Sequence, residues 1–345
     1  MTTMSKPTPA SRSATMRDVA TLADVSVKTV SRVVNREAGV SADLVERVTN
    51  AIQLLGYRQN LTASSLRRAD GKTSTVGLLL EDVSNPYSSA LCRAIEDVAR
   101  QHGSLVFAGS SDEDAHRQRE LLRGLVARGV DGLIAAPAGN DTAELLAERR
   151  RGTPIVLVDR QPTAELDSVT VDNREGAQNA VRHLAAQGHR RIAFLSDLRI
   201  IWTAAQRHIG YVEGLATSGI TLAPHLVHQD LHSADAAEAV ADRLLGAADP
   251  PTAFFTSQNL ITVGTIRALQ RRGLQRRIAV VGFDDFLLAD LLDPGVTVVA
   301  QDPAAIGRTA AELLFARLGG DRQPDRHVVV PTRLLQRGSG EVTAA

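Results

Sequence analysis

The chain has 345 residues with 39 Lys plus Arg against 39 Asp plus Glu, so its formal net charge is zero and the overall balance points to no partner. A single cysteine, Cys92, excludes an intrachain disulfide and reads as a small buried helix residue, with no thiolate cluster for a metal. The length allows more than one domain, and neither an N-terminal apolar signal segment nor a run of about 18 apolar residues is present, which predicts a cytoplasmic protein with no membrane partner.

The charge is unevenly placed. Residues 1–68 hold ten Lys or Arg against five acids, a basic unit on a neutral body and so an electrostatic footprint for nucleic acid. Residues 1–14 are rich in Ser, Thr and Pro and predict a disordered tail. Thr15 is a good N-cap, and Val19, Ala20, Leu22 and Ala23 supply the apolar face of a first helix. After Asp24 and Val25, Ser26 caps a second helix with Val30, Val33 and Val34 inward and Val27, Lys28, Thr29, Ser31 and Arg32 outward. An amphipathic helical hairpin is the plain alternative, but the tight turn and basic outer face predict a helix-turn-helix. Such a helix enters the major groove N-terminus first, where Val27, Lys28 and Arg32 would meet base edges. The shorter polar side chains of Ser26, Thr29, Ser31 and Asn35 would hold phosphate. Ser41 then caps a third helix whose Leu44, Val45, Val48, Ile52 and Leu55 close the small core, ending at Gly56.

The run VATLADVSVKTVSRVVNREAGVSADLVERVTNAIQLLGYRQN resembles the DNA-binding headpiece of the lac-repressor (LacI/GalR) family. That family reads VA-x-x-AGVS-x-x-TVSRVLN, then V-x-x-x-T-R-x-x-V, then LGY-x-P-N. Three positions depart: Asp24 for the Gly of the turn, Leu44 for Thr and Gln59 for Pro. Asp tolerates a left-handed turn position, so the first change need not break the motif. The segment 60–68, NLTASSLRR, is too short to be a stable helix alone. The resemblance implies that it is a hinge helix, ordered when two subunits meet on the operator, with a leucine wedged into the minor groove. Ala63 and Leu66 match the base-touching hinge positions, with Arg67 beside them. The implied partner is double-stranded operator DNA, pseudo-palindromic and bound by a homodimer or higher oligomer. The expected divisions are a tail at 1–14, the helix-turn-helix domain at 15–59 and the hinge and linker at 60–74.

From 75 onward, apolar runs at 76–80, 105–108, 132–136, 155–159, 192–195, 253–256, 278–283 and 296–300 alternate with amphipathic segments. Those helical segments are 90–101, 117–128, 175–187, 235–245 and 261–272. Continuous apolar strands between helices imply parallel sheets covered on both faces. The order repeats as two doubly wound α/β halves with a ligand between them, which is the periplasmic-binding-protein-like architecture. The effector-binding and dimerisation core is placed at 75–345, with an N-lobe at about 75–170 and 302–326 and a C-lobe at about 171–301 and 327–340. Lobe crossings are expected near 159–172, 300–303 and 319–328.

In such sheets ligands sit beyond the C-terminal strand ends. The polar residues there include Glu81, Asn85 and Tyr87, then Asp159 and Arg160, Asp172 and Asn173, Gln258 and Asn259, Asp284 and Asp285, and Gln301 and Asp302. Carboxylates and amides of this kind form bidentate hydrogen bonds to hydroxyls, which suits a sugar-like effector. The family pattern puts Asp159, Arg207, Gln258, Asp284 and Gln301 on effector-contacting positions, with Tyr87 near the first strand and Trp202 and Thr203 on a loop before Arg207. Arg160 is either an anchor for an anionic ligand group or a salt-bridge partner. His225, His228 and His232 read as a surface connection without metal spacing. No G-x-G-x-x-G or P-loop follows a strand and no G-x-S-x-G occurs, against an enzyme; a solute-binding transport protein would need export and would not carry the headpiece. The expected function is therefore a transcriptional regulator, read as a repressor under allosteric control by a small polar ligand, with no cofactor and no metal.

Overall fold

The computed structural model describes residues 14–34, 37, 39–57, 73–139 and 141–344. The chain separates into two units, 1–73 and 74–345. The tail before Ala14 and the hinge segment 60–68, with Gln59, lie outside the described residues.

In the first unit, α1 (Met16–Ala23) opens on a reciprocal cap: the Asp18 N–H donates to Thr15 Oγ1 (3.4 Å) and the Thr15 N–H to Asp18 Oδ2 (2.7 Å). It closes on Asp24 in the left-handed region, φ 51°, as the departure from glycine allows. In α2 (Val27–Val34), the Thr29 N–H donates to Ser26 Oγ at 3.0 Å. The third helix, α3 (Ala42–Leu55), starts on Ser41 and ends on left-handed Gly56. Val19, Ala20, Ala23, Val30, Val48 and Ala51 form the core, with Val33, Val34 and Ile52 half-buried against it. Leu22, expected inside, is 50% exposed: it lies about 100° round the helix from the Val19–Ala23 stripe. Val45 and Leu55, also expected inside, are exposed, because a core this small reaches only the middle of α3. Arg47 of α3 donates to the carbonyls of Ala23 (2.6 Å) and Asp24 (3.1 Å), closing the C-terminus of α1, which has no basic residue of its own there.

The second unit contains two six-stranded sheets. The first runs β11-β5-β4-β3-β1-β2, with β1 at Thr75–Leu80, β2 at Leu105–Ser110, β3 at Gly132–Ala135, β4 at Ile155–Val158, β5 at Asp167–Val171 and β11 at His327–Val330. The second runs β12-β10-β9-β8-β6-β7, with β6 at Ile192–Leu195, β7 at Val227–His228, β8 at Ala253–Thr256, β9 at Ala279–Phe283, β10 at Thr297–Ala300 and β12 at Arg333–Leu335. All pairings are parallel except that of β12 with β10. Side chains alternate along β1: Val76, Leu78 and Leu80 enter one core and Leu79 the other, as a strand buried on both faces requires.

Helices cover both faces. α4 (Pro86–Gln101) and α11 (Pro303–Leu318) pack on one side of the first sheet, α5 (Ala115–Ala127) and α6 (Ala143–Arg150) on the other. α7 (Asn173–Ala186) and α8 (Trp202–Thr217) flank the second sheet opposite α9 (Ala234–Leu245) and α10 (Asn259–Arg271). Cys92 lies on α4 and is only partly buried. The edge strand β2 departs from the expected buried run: Leu105 is 61% and Phe107 43% exposed.

One lobe boundary needs correction. Because β11 pairs with β5, residues 327–330 belong to the N-lobe, and the last crossing falls between Val330 and Arg333 rather than at 319–328. The first crossing follows β5, near Asp172, where the Thr332 N–H donates to Asp172 Oδ1 at 2.8 Å and ties two crossings together. The remaining connection, at 300–303, joins β10 to α11.

Two helix contacts depend on glycine. A Cβ at Gly264 of α10 would stand 2.1 Å from the Ala234 carbonyl oxygen, and one at Gly210 of α8 would stand 2.2 Å from that of Arg174. Alanine in a helix ordinarily stabilises relative to glycine by about 1 kcal/mol. Here the backbones must part, so Gly264→Ala is expected to destabilise by about 1–3 kcal/mol. A melting temperature at or above that of the wild type would contradict this.

Candidate functional site

The C-terminal strand ends of the two sheets face one crevice. Asp159 follows β4 and Asp284 follows β9, both left-handed, with φ 54° and 72°. Each N–H continues the ladder to the neighbouring strand, Asp159 to the Val169 oxygen at 3.1 Å and Asp284 to the Val299 oxygen at 2.9 Å. The ladder bond is kept while the chain turns sharply at the strand end, a backbone conformation that Asp tolerates.

On the C-lobe side, Arg207 is buried. Its Nε donates to Asn173 Oδ1 (2.7 Å), its Nη1 donates to the Ser257 oxygen (2.7 Å) and stands 3.6 Å from Asp284 Oδ2, and its guanidinium lies 3.8 Å from the centre of the Phe283 ring. Asp284 accepts from Gln301 Nε2 at 2.5 Å. Burial raises the Asp284 carboxyl above its ordinary range, against the pull of Arg207 and Gln301. Gln258 caps α10, accepting from the Leu260 N–H (2.9 Å), and donates to Asp197 Oδ2 (3.0 Å).

On the N-lobe side, Arg160 is 2% exposed. It donates to the Pro137 oxygen (3.1 Å), to the Asp159 oxygen (2.7 Å) and Oδ2 (3.0 Å), to Glu81 (3.5 Å) and to Glu113. Of the two readings of Arg160, the salt-bridge partner describes these contacts. Burial works to lower its pKa, but Glu113, Asp159 and Glu81 outweigh this and keep it charged. Burial also raises Asp159, against Arg160 and Arg207.

The lobes touch through side chains. Asn259 Nδ2 of α10 donates to Asn85 Oδ1, the cap of α4, at 2.9 Å. His232, expected in a surface connection, lies 2.7 Å from Asp197 Oδ1 and 3.7 Å from Glu81 Oε1, because β7 brings the loop after it beside the end of β6. The hydrogen bond with Asp197 raises the His232 pKa to about 9, against burial. Burial pushes the Glu81 carboxyl up to about 7, opposed by Arg160 and aided by Asp197 and Glu113. Ligating atoms of Glu81, Asp197 and His232 lie within 4.8 Å of one another, the only such group of three found among the described residues.

Tyr87, Asp159, Arg160, Thr203, Arg207, Gln258, Asp284 and Gln301 line this crevice together. Trp202 does not: it lines a separate open groove with Gln206 and Glu213. Residues 202 and 203 form the first turn of α8 rather than a loop, and Thr203 shares a face with Arg207 at i,i+4 while Trp202 shares one with Gln206. Asp302 and Asp285 serve the fold, the first capping α11 and the second paired with Arg337. Asp197, Glu113 and His232 were missed; the first two follow apolar runs and answer to the same strand-end rule, while a two-residue strand left no sign of the third. Two buried atoms of the crevice, Tyr87 Oη and Gln301 Oε1, have no hydrogen-bond partner among the described residues.

In the headpiece, Val27 and Lys28 are exposed, and Thr29, Ser31 and Arg32 are partly so; Arg32 Nε stands 3.4 Å from Glu37. Asn35, Ala63, Leu66 and Arg67 lie outside the described residues.

A helix-turn-helix unit followed by a two-lobed body with a polar crevice defines a DNA-binding regulator built on a periplasmic-binding-protein-like core. Residues 15–60 match the model of the bacterial regulatory proteins, lacI family, and residues 181–340 that of the periplasmic binding protein-like domain. Catabolite control protein A of Priestia megaterium is 33% identical over 330 residues, 94% of this chain and 98% of the relative. The chain belongs to the lacI family of transcriptional regulators. Its fold is similar to that of the lac repressor dimer bound to operator and an anti-inducer, with TM-score 0.84 and 26% identity over 95% of this chain and 99% of that one. It is also similar to a complex of the transcriptional regulator CelR with cellobiose, with TM-score 0.70 and 28% identity over 94% and 99%. Among the described residues no helix is long and apolar enough to cross a membrane.

Proposed function

We propose that the protein is a cytoplasmic repressor that binds a pseudo-palindromic operator as a dimer and is controlled by a sugar or sugar derivative held between the lobes. The observation that carries the ligand reading is the pair of buried, unpartnered atoms, Tyr87 Oη and Gln301 Oε1, in a crevice otherwise filled with mutually bonded polar groups. A buried polar group without a partner costs about 1–3 kcal/mol, which a ligand hydroxyl would recover. Closing on the ligand would change the lobe angle at the three crossings, and the dimer would carry that change to the headpieces. The test is an anisotropy titration of the full chain onto an inverted-repeat operator with and without sugars. A change in affinity of about 5–150-fold with at least one sugar is expected. Affinity unmoved by every sugar contradicts the reading.

Base reading is assigned to Val27, Lys28 and Arg32, and phosphate contact to Ser26, Thr29, Ser31 and Asn35. Arg32 would exchange Glu37 for a guanine edge. Arg32→Ala is expected to cost about 1–3 kcal/mol on operator and to relax preference at one base pair. An unchanged ratio of operator to random-DNA affinity would show that Arg32 reads no base. At the hinge, Ala63, Leu66 and Arg67 are assigned to the minor groove.

A second copy of the chain is the proposed cover for the unpaired edge strand β2, whose Leu105 and Phe107 share one face, and for Leu287, Leu288 and Leu291, which are 80%, 55% and 74% exposed. Phe107→Asp should give a monomer in sedimentation at concentrations where the wild type is dimeric. A dimer of unchanged stability would place the interface elsewhere.

A further inference from the structure

Resting on the effector reading above, we infer that the crevice selects an uncharged polyhydroxylated ligand and rejects the carboxylated or phosphorylated form of the same sugar. Four carboxylates line it, Glu81, Asp159, Asp197 and Asp284, against two guanidinium groups, Arg160 and Arg207, while the His232 imidazole stands outside the lining, already bonded to Asp197 and 3.7 Å from Glu81. An anionic ligand group needs a free donor fork, and neither arginine offers one. Every nitrogen of Arg160 already donates: Nε to the Pro137 oxygen, Nη1 to Asp159, Nη2 to Glu81 and Glu113. Arg207 has spent Nε on Asn173 and Nη1 on the Ser257 oxygen, so both of its bidentate edges are taken and only Nη2 remains. One nitrogen suits a hydroxyl.

The backbone adds little for an anion. The N-termini of α4 and α10 are closed by the side chains of Asn85 and Gln258. That of α8 has no side-chain cap, but a helix N-terminus carries roughly half a positive charge, set here against four carboxylates. Burial has already raised Glu81, Asp159 and Asp284, a sign that the space resists further negative charge. The unpartnered Tyr87 Oη and the carbonyl-type Gln301 Oε1 complete the picture, since the second can only accept and so calls for a hydroxyl proton.

The test is calorimetry on the full chain with matched sets: D-glucose with D-gluconate and D-glucose 6-phosphate, D-ribose with D-ribonate and D-ribose 5-phosphate, cellobiose with cellobionate. Where a neutral sugar binds, its anionic counterparts should bind at least about 100-fold more weakly, as like charges in a closed site demand. Asp197→Asn and, separately, Glu81→Gln keep shape while removing a charge, and each should narrow that gap about tenfold or more. An anion that binds as tightly as its neutral partner overturns the inference, as does a gap that neither variant narrows. A panel in which neither form of any sugar binds counts against the effector reading itself, and the inference falls with it.

Discussion

Asp284→Ala is expected to leave operator binding without ligand intact, if the ligand is an inducer, and to abolish the ligand's effect on it. The Asp284 carboxylate is buried, is turned off the end of β9 by its left-handed backbone, and meets Arg207 at 3.6 Å and Gln301 at 2.5 Å. In the proposed complex it accepts from ligand hydroxyls. Each such hydrogen bond to a charged group contributes about 1.5–3 kcal/mol, so losing two weakens the ligand by about 100-fold or more. A ligand shifts an allosteric equilibrium only by its differential affinity for the two states, so the response disappears with the binding. If the ligand is a corepressor, the same variant fails to bind operator at all. Asp284→Asn keeps the shape and one acceptor and should fall between. Wild-type ligand affinity in both Asp284→Ala and Arg207→Ala, by calorimetry, would remove the crevice as the effector site.

The second large effect concerns stability. Asp167 opens β5, is 1% exposed, and receives Arg317 Nε at 2.7 Å and Nη2 at 2.9 Å together with the Arg326 N–H at 2.7 Å. This cluster fastens the end of α11 and the approach to β11 onto the N-lobe sheet. Removing one member of a buried pair leaves the other uncompensated, so Asp167→Ala is expected to cost about 3–5 kcal/mol. Burial acts to raise the Asp167 carboxyl, but the bonds from Arg317 and Arg326 outweigh it and hold the pKa below the ordinary range. A depressed folded pKa means that the stabilisation is complete above the unfolded value of about 3.9 and is lost as pH falls through the folded one. The stability gap between wild type and Asp167→Asn should therefore be constant above about pH 5 and shrink in more acid solution. A gap independent of pH down to acid unfolding would contradict the assignment.

The two doubly wound sheets were legible because strands covered on both faces must be apolar throughout, and 76–80, 155–158 and 253–255 are. The same rule misled at β2, where Leu105 and Phe107 look like core residues but lie on an open edge. β11 and β12 were illegible: they are short, half exposed and paired far across the chain, so nothing local marks them, and the lobe boundary moved with them. Within the site, the strand-end rule found Asp159, Gln258 and Asp284 because topology alone sends those positions to the crevice. It could not foretell that Arg160 would be consumed by Glu81 and Glu113, since both partners come from other loops. Trp202 failed because a boundary error of a few residues at a helix start exchanges faces.

The most direct test of the proposed regulator is selection from random-sequence DNA by the full chain, followed by sequencing of what is bound. Two copies presenting α2 to successive major grooves should enrich an inverted repeat whose half-sites share one sequence and are separated by a fixed spacing. Enrichment of no motif, or of a single unrepeated half-site, would contradict a dimer reading a pseudo-palindromic operator.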